Sequence, residues 1–152
     1  MKKTILFLSI AVASGALFIN VYNSVVDAAS WGSHLPESIE TARHYYSTVT
    51  PATFLRVFSP LNQILGLLAL LVFWKTAPDI RKYLGIALVM YIATDALTFG
   101  YFYPRISIMF ETGTSVSELS QAWKEWSAMN WVRSLIILVG VFFSSLSLHK
   151  TY

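Results

Sequence analysis

Cysteine is absent from the 152 residues. That excludes disulfides, thiolate metal sites, Fe–S clusters and thiol nucleophiles together, and leaves the redox compartment unmarked. Charge is scarce as well. Asp, Glu, Lys and Arg make up 12% of the chain, against ~25% in a typical soluble domain. So few charges cannot cover a globule in water, which argues against a soluble domain, disorder and a nucleic-acid-binding module. Histidine is limited to three positions. None falls in an apolar run, which disfavours haem held between two buried histidines. There is no internal repeat, low-complexity tract or linker, so residues 1–152 read as a single transmembrane domain.

What is abundant is apolar. Hydrophobic residues reach 55% and the mean hydropathy is +0.57. Four apolar runs stand out, at about residues 4–28, 54–74, 83–103 and 128–148. Each is roughly 20 residues or more, enough to cross a ~30 Å hydrocarbon core at 1.5 Å per residue. The expected fold is all-α, an integral membrane four-helix bundle. Its punctuation is legible too. Thr50-Pro51 and Ala77-Pro78 each open a helix, and Ser115-x-x-Glu118 is a capping-box pattern. The third helix is expected to run past Pro104 with a kink and to end near Gly113. A short helix is expected from Pro36 to about Tyr46, inside a long first outer loop.

Lys2, Lys3, Lys75, Arg81, Lys82 and Lys150 fall on one side of the predicted bundle, whereas Glu37, Glu40, Glu111, Glu118 and Glu125 fall on the other. The positive-inside rule then places both termini in the cytoplasm of a multi-pass protein of a bacterial-type inner membrane. Lys2-Lys3 followed by Ala11-Val12-Ala13 also fits a cleaved signal peptide. The apolar run continues through Phe18, Val21 and Val26 and carries spaced polar residues, which favours a retained span.

Ionisable groups within a span cost ~2.5–3.5 kcal/mol each and usually face the bundle interior. They are therefore the informative positions. Asn20, Asn23 and Asp27 share one face of the first helix; Arg56, Ser59, Asn62 and Gln63 form a stripe on the second. Asp95 lies between Thr94 and Thr98 on the third, followed by Tyr101, Tyr103 and Arg105; Asn130 and Arg133 share a face of the fourth. With alternating helix directions, all four sets fall in the outer half of the bilayer. A single polar pocket is expected there, with Asp27 and Asp95 balancing Arg56 and Arg133. The bland alternative is a set of helix–helix ties worth ~0.6 kcal/mol each.

Two further groups carry weaker signals. His34, Glu37, Glu40 and His44 cluster in the outer loop, but without HExxH or Cys they also read as a solvated face, and no metal or cofactor is expected. Aromatics reach 15% of the chain. Trp31, Trp74, Tyr83, Trp123, Trp126 and Trp131 fit an interfacial belt, while Phe99 to Tyr103 are dense enough to line an aromatic-accepting pocket.

Four short spans, a long first outer loop, the Tyr101–Pro104 end of helix three and the Trp126-x-x-x-Asn130-x-x-Arg133 opening of helix four resemble the anthrone-oxygenase-like family of small membrane proteins. The resemblance implies a four-helix bundle and, as in the characterised members, cofactor-independent oxygenation of a phenolic polycycle. It implies Asn130 and Arg133 as pocket residues. The family often carries His at the position of Asn130, and an amide cannot serve as a general base.

The expected function is therefore an oxygenase-like oxidoreductase acting on a small lipophilic phenol- or quinone-like molecule. Catalytic candidates are Arg133, Asn130, Asp95 and Asp27. Binding candidates are Arg56, Asn20, Asn23, Asn62, Tyr101, Tyr103, Arg105 and Trp126. The alternative is a non-catalytic accessory subunit or lipid-binding protein; a transporter is least favoured, because no discontinuous span is visible. Expected partners are membrane lipids, the small molecule, and a homo-oligomer or membrane partner subunit, with no nucleic acid.

Overall fold

A computed structural model describes all 152 residues. There are five helices: α1 (Lys2–Trp31), α2 (Glu37–Tyr45), α3 (Pro51–Val72), α4 (Pro78–Phe110) and α5 (Val116–His149). The α1, α3, α4 and α5 helices are long and apolar enough to cross a membrane. They form an antiparallel ring in which α1 packs on α3, α3 on α4, α4 on α5 and α5 on α1. Both chain ends meet at one end of the ring, where the Lys3 ammonium stands 3.6 Å from the centroid of the Tyr152 ring. Large side chains such as Phe7, Phe18, Leu71, Val89 and Phe142 point outward. An apolar exterior of this extent suits lipid rather than water.

The helix starts follow their sequence signals. Thr50 caps α3 with Thr53 in a capping box, and Pro51 and Pro78 occupy first-turn positions where no N–H is missed. Ser115 and Glu118 close a capping box that starts α5 well before its apolar run. The short helix α2 forms at the expected place.

Two spans continue past the C-terminal end of their apolar stretches, and both contain a wide π-helical turn. In α4 the turn covers Thr98–Phe102 and the helix continues to Phe110. Pro104 explains it: proline offers no N–H to the carbonyl four residues back, at Gly100, and its ring would strike that carbonyl in a regular turn. In α1 the π turn covers Asn23–Asp27, and the Ser24 hydroxyl donates to the Asn20 carbonyl at 3.0 Å. The α3 helix has its own interruption at Pro60, which leaves the Arg56 carbonyl without a helical donor. The α5 helix has none.

Three apolar clusters hold the ring. Near the termini, Leu6, Ala69, Phe73, Ile80 and Leu84 pack together. At mid-height, Tyr91 is buried with Ala13 and Ala87, and its hydroxyl lies 3.0 Å from Ser144 Oγ. The third cluster caps the distal end, where α2 lies across α1, α4 and α5. There Trp31 stacks on Trp126 at 4.7 Å, above Phe102, Met109 and Leu119. Arg43 of α2 donates to the carbonyls of Met109 and Glu111, at 2.7 and 2.6 Å, and so satisfies the orphan carbonyls at the C-terminus of α4.

Glycine is required where the Tyr91 ring meets α5. A Cβ on Gly140 would stand 2.5 Å from a ring carbon of Tyr91, whereas one on Gly15 would meet nothing within 4 Å. Gly140→Ala is expected to lower stability by about 1–3 kcal/mol through overpacking, while Gly15→Ala leaves it unchanged or slightly higher. Thermal unfolding of both variants in detergent checks this; equal midpoints would refute the close contact.

Candidate functional site

Beyond Tyr91, toward the distal cap, the four long helices enclose a cavity of about 500 Å³. Its polar wall comes from all of them: Asn20 and Asn23 of α1; Arg56, Ser59, Asn62 and Gln63 of α3; Thr94, Asp95, Thr98 and Tyr103 of α4; Arg133 of α5. Apolar wall is supplied by Ile19, Leu55, Phe58, Phe99 and Ile137. A mostly apolar cleft with a few convergent polar groups is the usual form of a small-molecule site.

The α5 wall is built around Arg133, which is 5% exposed. Its Nη2 donates to Asn130 Oδ1 at 2.7 Å, and its central carbon lies 4.0 Å from the centroid of the Phe102 ring. Its Nε has no partner. Asn130 is itself wholly buried and does not line the cavity; it positions the guanidinium from behind. Asn20 Nδ2 then ties α1 to α5 by donating to the Asn130 carbonyl at 2.9 Å and to Ser134 Oγ at 2.6 Å. The opposite wall is a latch. Asp95 of α4 accepts from Ser59 Oγ and, at 2.9 Å, from Gln63 Nε2 of α3.

Asp95 shares the cavity with Arg56 and Arg133 but pairs directly with neither. No carboxylate stands within 4.0 Å of Arg56 or Arg133. Asp95 is spent on α3. Asp27, on the π turn of α1, sits outside the cavity wall; with the Asn23 amide turned to donate, Asn23 Nδ2 reaches Asp27 Oδ2 at 2.9 Å. Asp27 faces the cap. Burial raises the Tyr46 hydroxyl above its ordinary pKa, and the Asp27 charge adds to the rise.

Of the residues expected in one pocket, the structure gathers Asn20, Asn23, Arg56, Asn62, Asp95, Tyr103 and Arg133. Three aromatic or basic candidates lie elsewhere. Trp126 belongs to the capping stack on Trp31. Arg105 pairs with Glu125 at 2.9 Å and lies 3.8 Å from the centroid of the Tyr101 ring, on the α5 side of α4. Tyr101, on the π turn, lies against Arg105 and the cap cluster, whereas Tyr103 lines the cavity. Sequence reasoning passed over Phe58 and Tyr91 as wall residues. Tyr91 sits in an apolar stretch and Phe58 beside the polar stripe of α3, and in neither place does the sequence tell a lipid-facing ring from a core or cavity-facing one.

In the outer loop, His44 Nε2 is 3.7 Å from Glu40 Oε1, and the other Glu40 oxygen takes Arg43 at 2.6 Å. No three His, Asp or Glu side chains come together there or elsewhere in a metal-holding arrangement. Set against protein-family models, curated proteins and solved structures, the chain matches none.

The cavity's two polar walls should respond oppositely to mutation. Asp95→Ala strands Ser59 and Gln63 and is expected to cost about 1–3 kcal/mol. Arg133→Met removes a buried, uncompensated cation while keeping an apolar stem over Phe102. It is expected to raise the unfolding midpoint of the ligand-free protein by the equivalent of about 1–2 kcal/mol. Thermal unfolding of the two variants in detergent decides; a destabilised Arg133→Met would mean the guanidinium is structural.

Proposed function

We propose that this chain is an inner-membrane protein with both termini in the cytoplasm, whose cavity in the outer half binds and oxidises a small lipophilic phenol- or quinone-like molecule. The reading follows the resemblance to the anthrone-oxygenase-like family. The observation that carries it is a cavity of about 500 Å³ inside an apolar bundle, with a carboxylate on one wall and a buried guanidinium on another. A fused-ring body suits the apolar wall, and its acidic oxygen suits Arg133.

Oxygenation without a cofactor needs the substrate itself to reduce O₂. An activated ring CH₂ gives up one proton to a base, and the resulting anion transfers electrons to O₂. One oxygen atom ends as the product carbonyl and the other leaves as water, so the substrate's two hydrogens and four electrons balance one O₂. In this scheme Asp95 accepts the proton and Arg133 stabilises the anionic oxygen, while Asn130 positions Arg133. Asn20, Asn62 and Tyr103 orient the rings. A second reading, a non-catalytic accessory subunit or lipid-binding protein, is favoured by one feature: Asp95 already accepts from Ser59 and Gln63, so a substrate must displace a donor before the carboxylate can act.

Purified protein supplied with a hydroxyanthrone is expected to consume one O₂ per ketone formed. Asp95→Asn should slow turnover by at least about 10²-fold with binding retained. Binding without O₂ uptake by the wild type would select the accessory reading. For the topology, a fluorescent protein that matures only in the cytoplasm should be bright when fused after Tyr152, and alkaline phosphatase inserted at Ser47 should be active. The reverse pattern would invert the bundle.

A further inference from the structure

We infer that the cavity takes a lipophilic monoanion directly from the bilayer, charged end first, through a side opening between α3 and α4, with the charge resting against Arg133. The inference rests on the pocket reading above and adds the ligand's charge and its route.

The charge follows from what surrounds Arg133. An arginine side chain stays protonated in proteins, and this one is nine-tenths buried or more. Only its Nη2 makes a hydrogen bond, to Asn130, and its Nε is unpartnered. The Phe102 ring face attracts the cation but accepts no ordinary hydrogen bond from it. The one carboxylate in the wall, Asp95, is turned to α3. A second cation, Arg56, stands on the wall without an ion pair. The wall therefore carries one positive charge in excess. A buried cation with unused donors is costly until an anion completes it. Asn62 Oδ1 and Gln63 Oε1 are also buried without partners. They suit a head that carries a hydroxyl donor beside its anionic oxygen.

The route follows from where α3 and α4 stop touching. The Ser59 and Gln63 bonds to Asp95 are their last polar cross-link. Farther toward the distal end, no hydrogen bond or ion pair joins the two helices. Phe58 of α3 and Phe99 of α4 flank that stretch. Both rings line the cavity, yet Phe58 is 37% and Phe99 65% exposed. A ring that is cavity wall and outer surface at once marks the edge of an opening. Phe58 stacks on Phe54 at 4.0 Å and Phe99 meets Tyr103 edge-on at 5.2 Å, so the mouth is aromatic on both sides. At this level of an apolar bundle the surrounding medium is hydrocarbon. An aromatic mouth before a cationic inner wall fits an amphiphile whose head leads. The volume suits one medium chain or one fused-ring body.

The test uses the full chain in phosphatidylcholine nanodiscs and two matched probe pairs: dodecanoate with methyl dodecanoate, and an alkylated 2-hydroxy-1,4-naphthoquinone with its methyl ether. Each pair differs chiefly in charge. The charged member is expected to bind at least tenfold tighter, about 1.4 kcal/mol. Arg133→Met should erase that preference and leave binding of the neutral members in place. The wild-type comparison alone decides the charge should that variant fail to fold. Tighter binding of either acid supports the inference, and which acid wins tells a fatty-acid head from a phenolate. Equal binding within both pairs overturns the charge and leaves the pocket reading standing; no binding of any probe overturns both.

The route is tested in the same discs, and the absence of cysteine makes it clean. Leu55→Cys with Phe99→Cys, bridged by a cleavable bis-thiosulfonate, should slow uptake of the acid at least tenfold, with recovery on reduction. The single variants capped with a monofunctional reagent serve as controls. An unchanged uptake rate in the bridged protein overturns the side route.

Discussion

A guanidinium held inside an apolar bundle is the constraint from which the rest of the site follows. Burying a cation is tolerable only when its donors are met and its position is fixed. Phe102 supplies a ring face and Asn130 a single acceptor. Asn130 is fixed in turn because Asn20 and Ser134 occupy its carbonyl. Asn130, Asn20 and Ser134 are polar at a depth where polarity is costly, and they form one hydrogen-bonded group behind Arg133. The same constraint makes the site incomplete within the chain, because Nε has no acceptor of its own.

The backbone shows a matching pattern. Three of the four long helices are interrupted at the level of the cavity: α1 and α4 by π turns and α3 by Pro60. Each interruption releases or displaces a main-chain carbonyl. In a lipid-facing position that would be expensive, but it is tolerated where the backbone borders a cavity or lies within protein. Asn23, Pro60, Thr98 and Phe99 all line the cavity, so the irregular backbone and the polar side chains occupy one place. The α5 helix stays regular and carries Arg133. It acts as the straight post against which the widened turns are set, and π turns of this kind are frequent at functional sites.

Much of this was legible in the sequence. The spans follow from length and hydropathy, the helix starts from Thr50, Pro78 and Ser115, and the common depth of Asn20, Arg56, Asp95 and Arg133 from alternating helix directions. What was not legible was rotation. A π turn inserts roughly one extra residue, about 100° of a helix. Regular spacing therefore fails to tell which of Tyr101, Tyr103 and Arg105 faces inward. Nor could it tell Asp27 from Asp95. Both are acids in spans, yet one faces the cap and the other α3. Asp95 makes no direct ion pair because two neutral donors meet it across its helix interface. Trp126 was misplaced because a tryptophan near an interface looks the same whether it faces lipid, cavity or cap.

The cap and the latch together give the cavity its asymmetry. α2 with the Trp31–Trp126 stack covers the distal ends of α1, α4 and α5. Arg43 fastens that cover to the end of α4 with two carbonyl acceptors. The first half of α3 contributes no residue to this cluster. It is held to its neighbours by packing near the termini, where Ala69 and Phe73 lie against Leu6 and Ile80, and by the single polar latch at Asp95. The wall bounded by α1, α4 and α5 is therefore cross-linked through Asn20 and roofed at the distal end, whereas the α3 wall is tied only from below. A cavity closed on three sides and loosely joined on the fourth is most accessible along that fourth side. In a membrane that side meets lipid, and the rings of Phe58 and Phe99 stand on it.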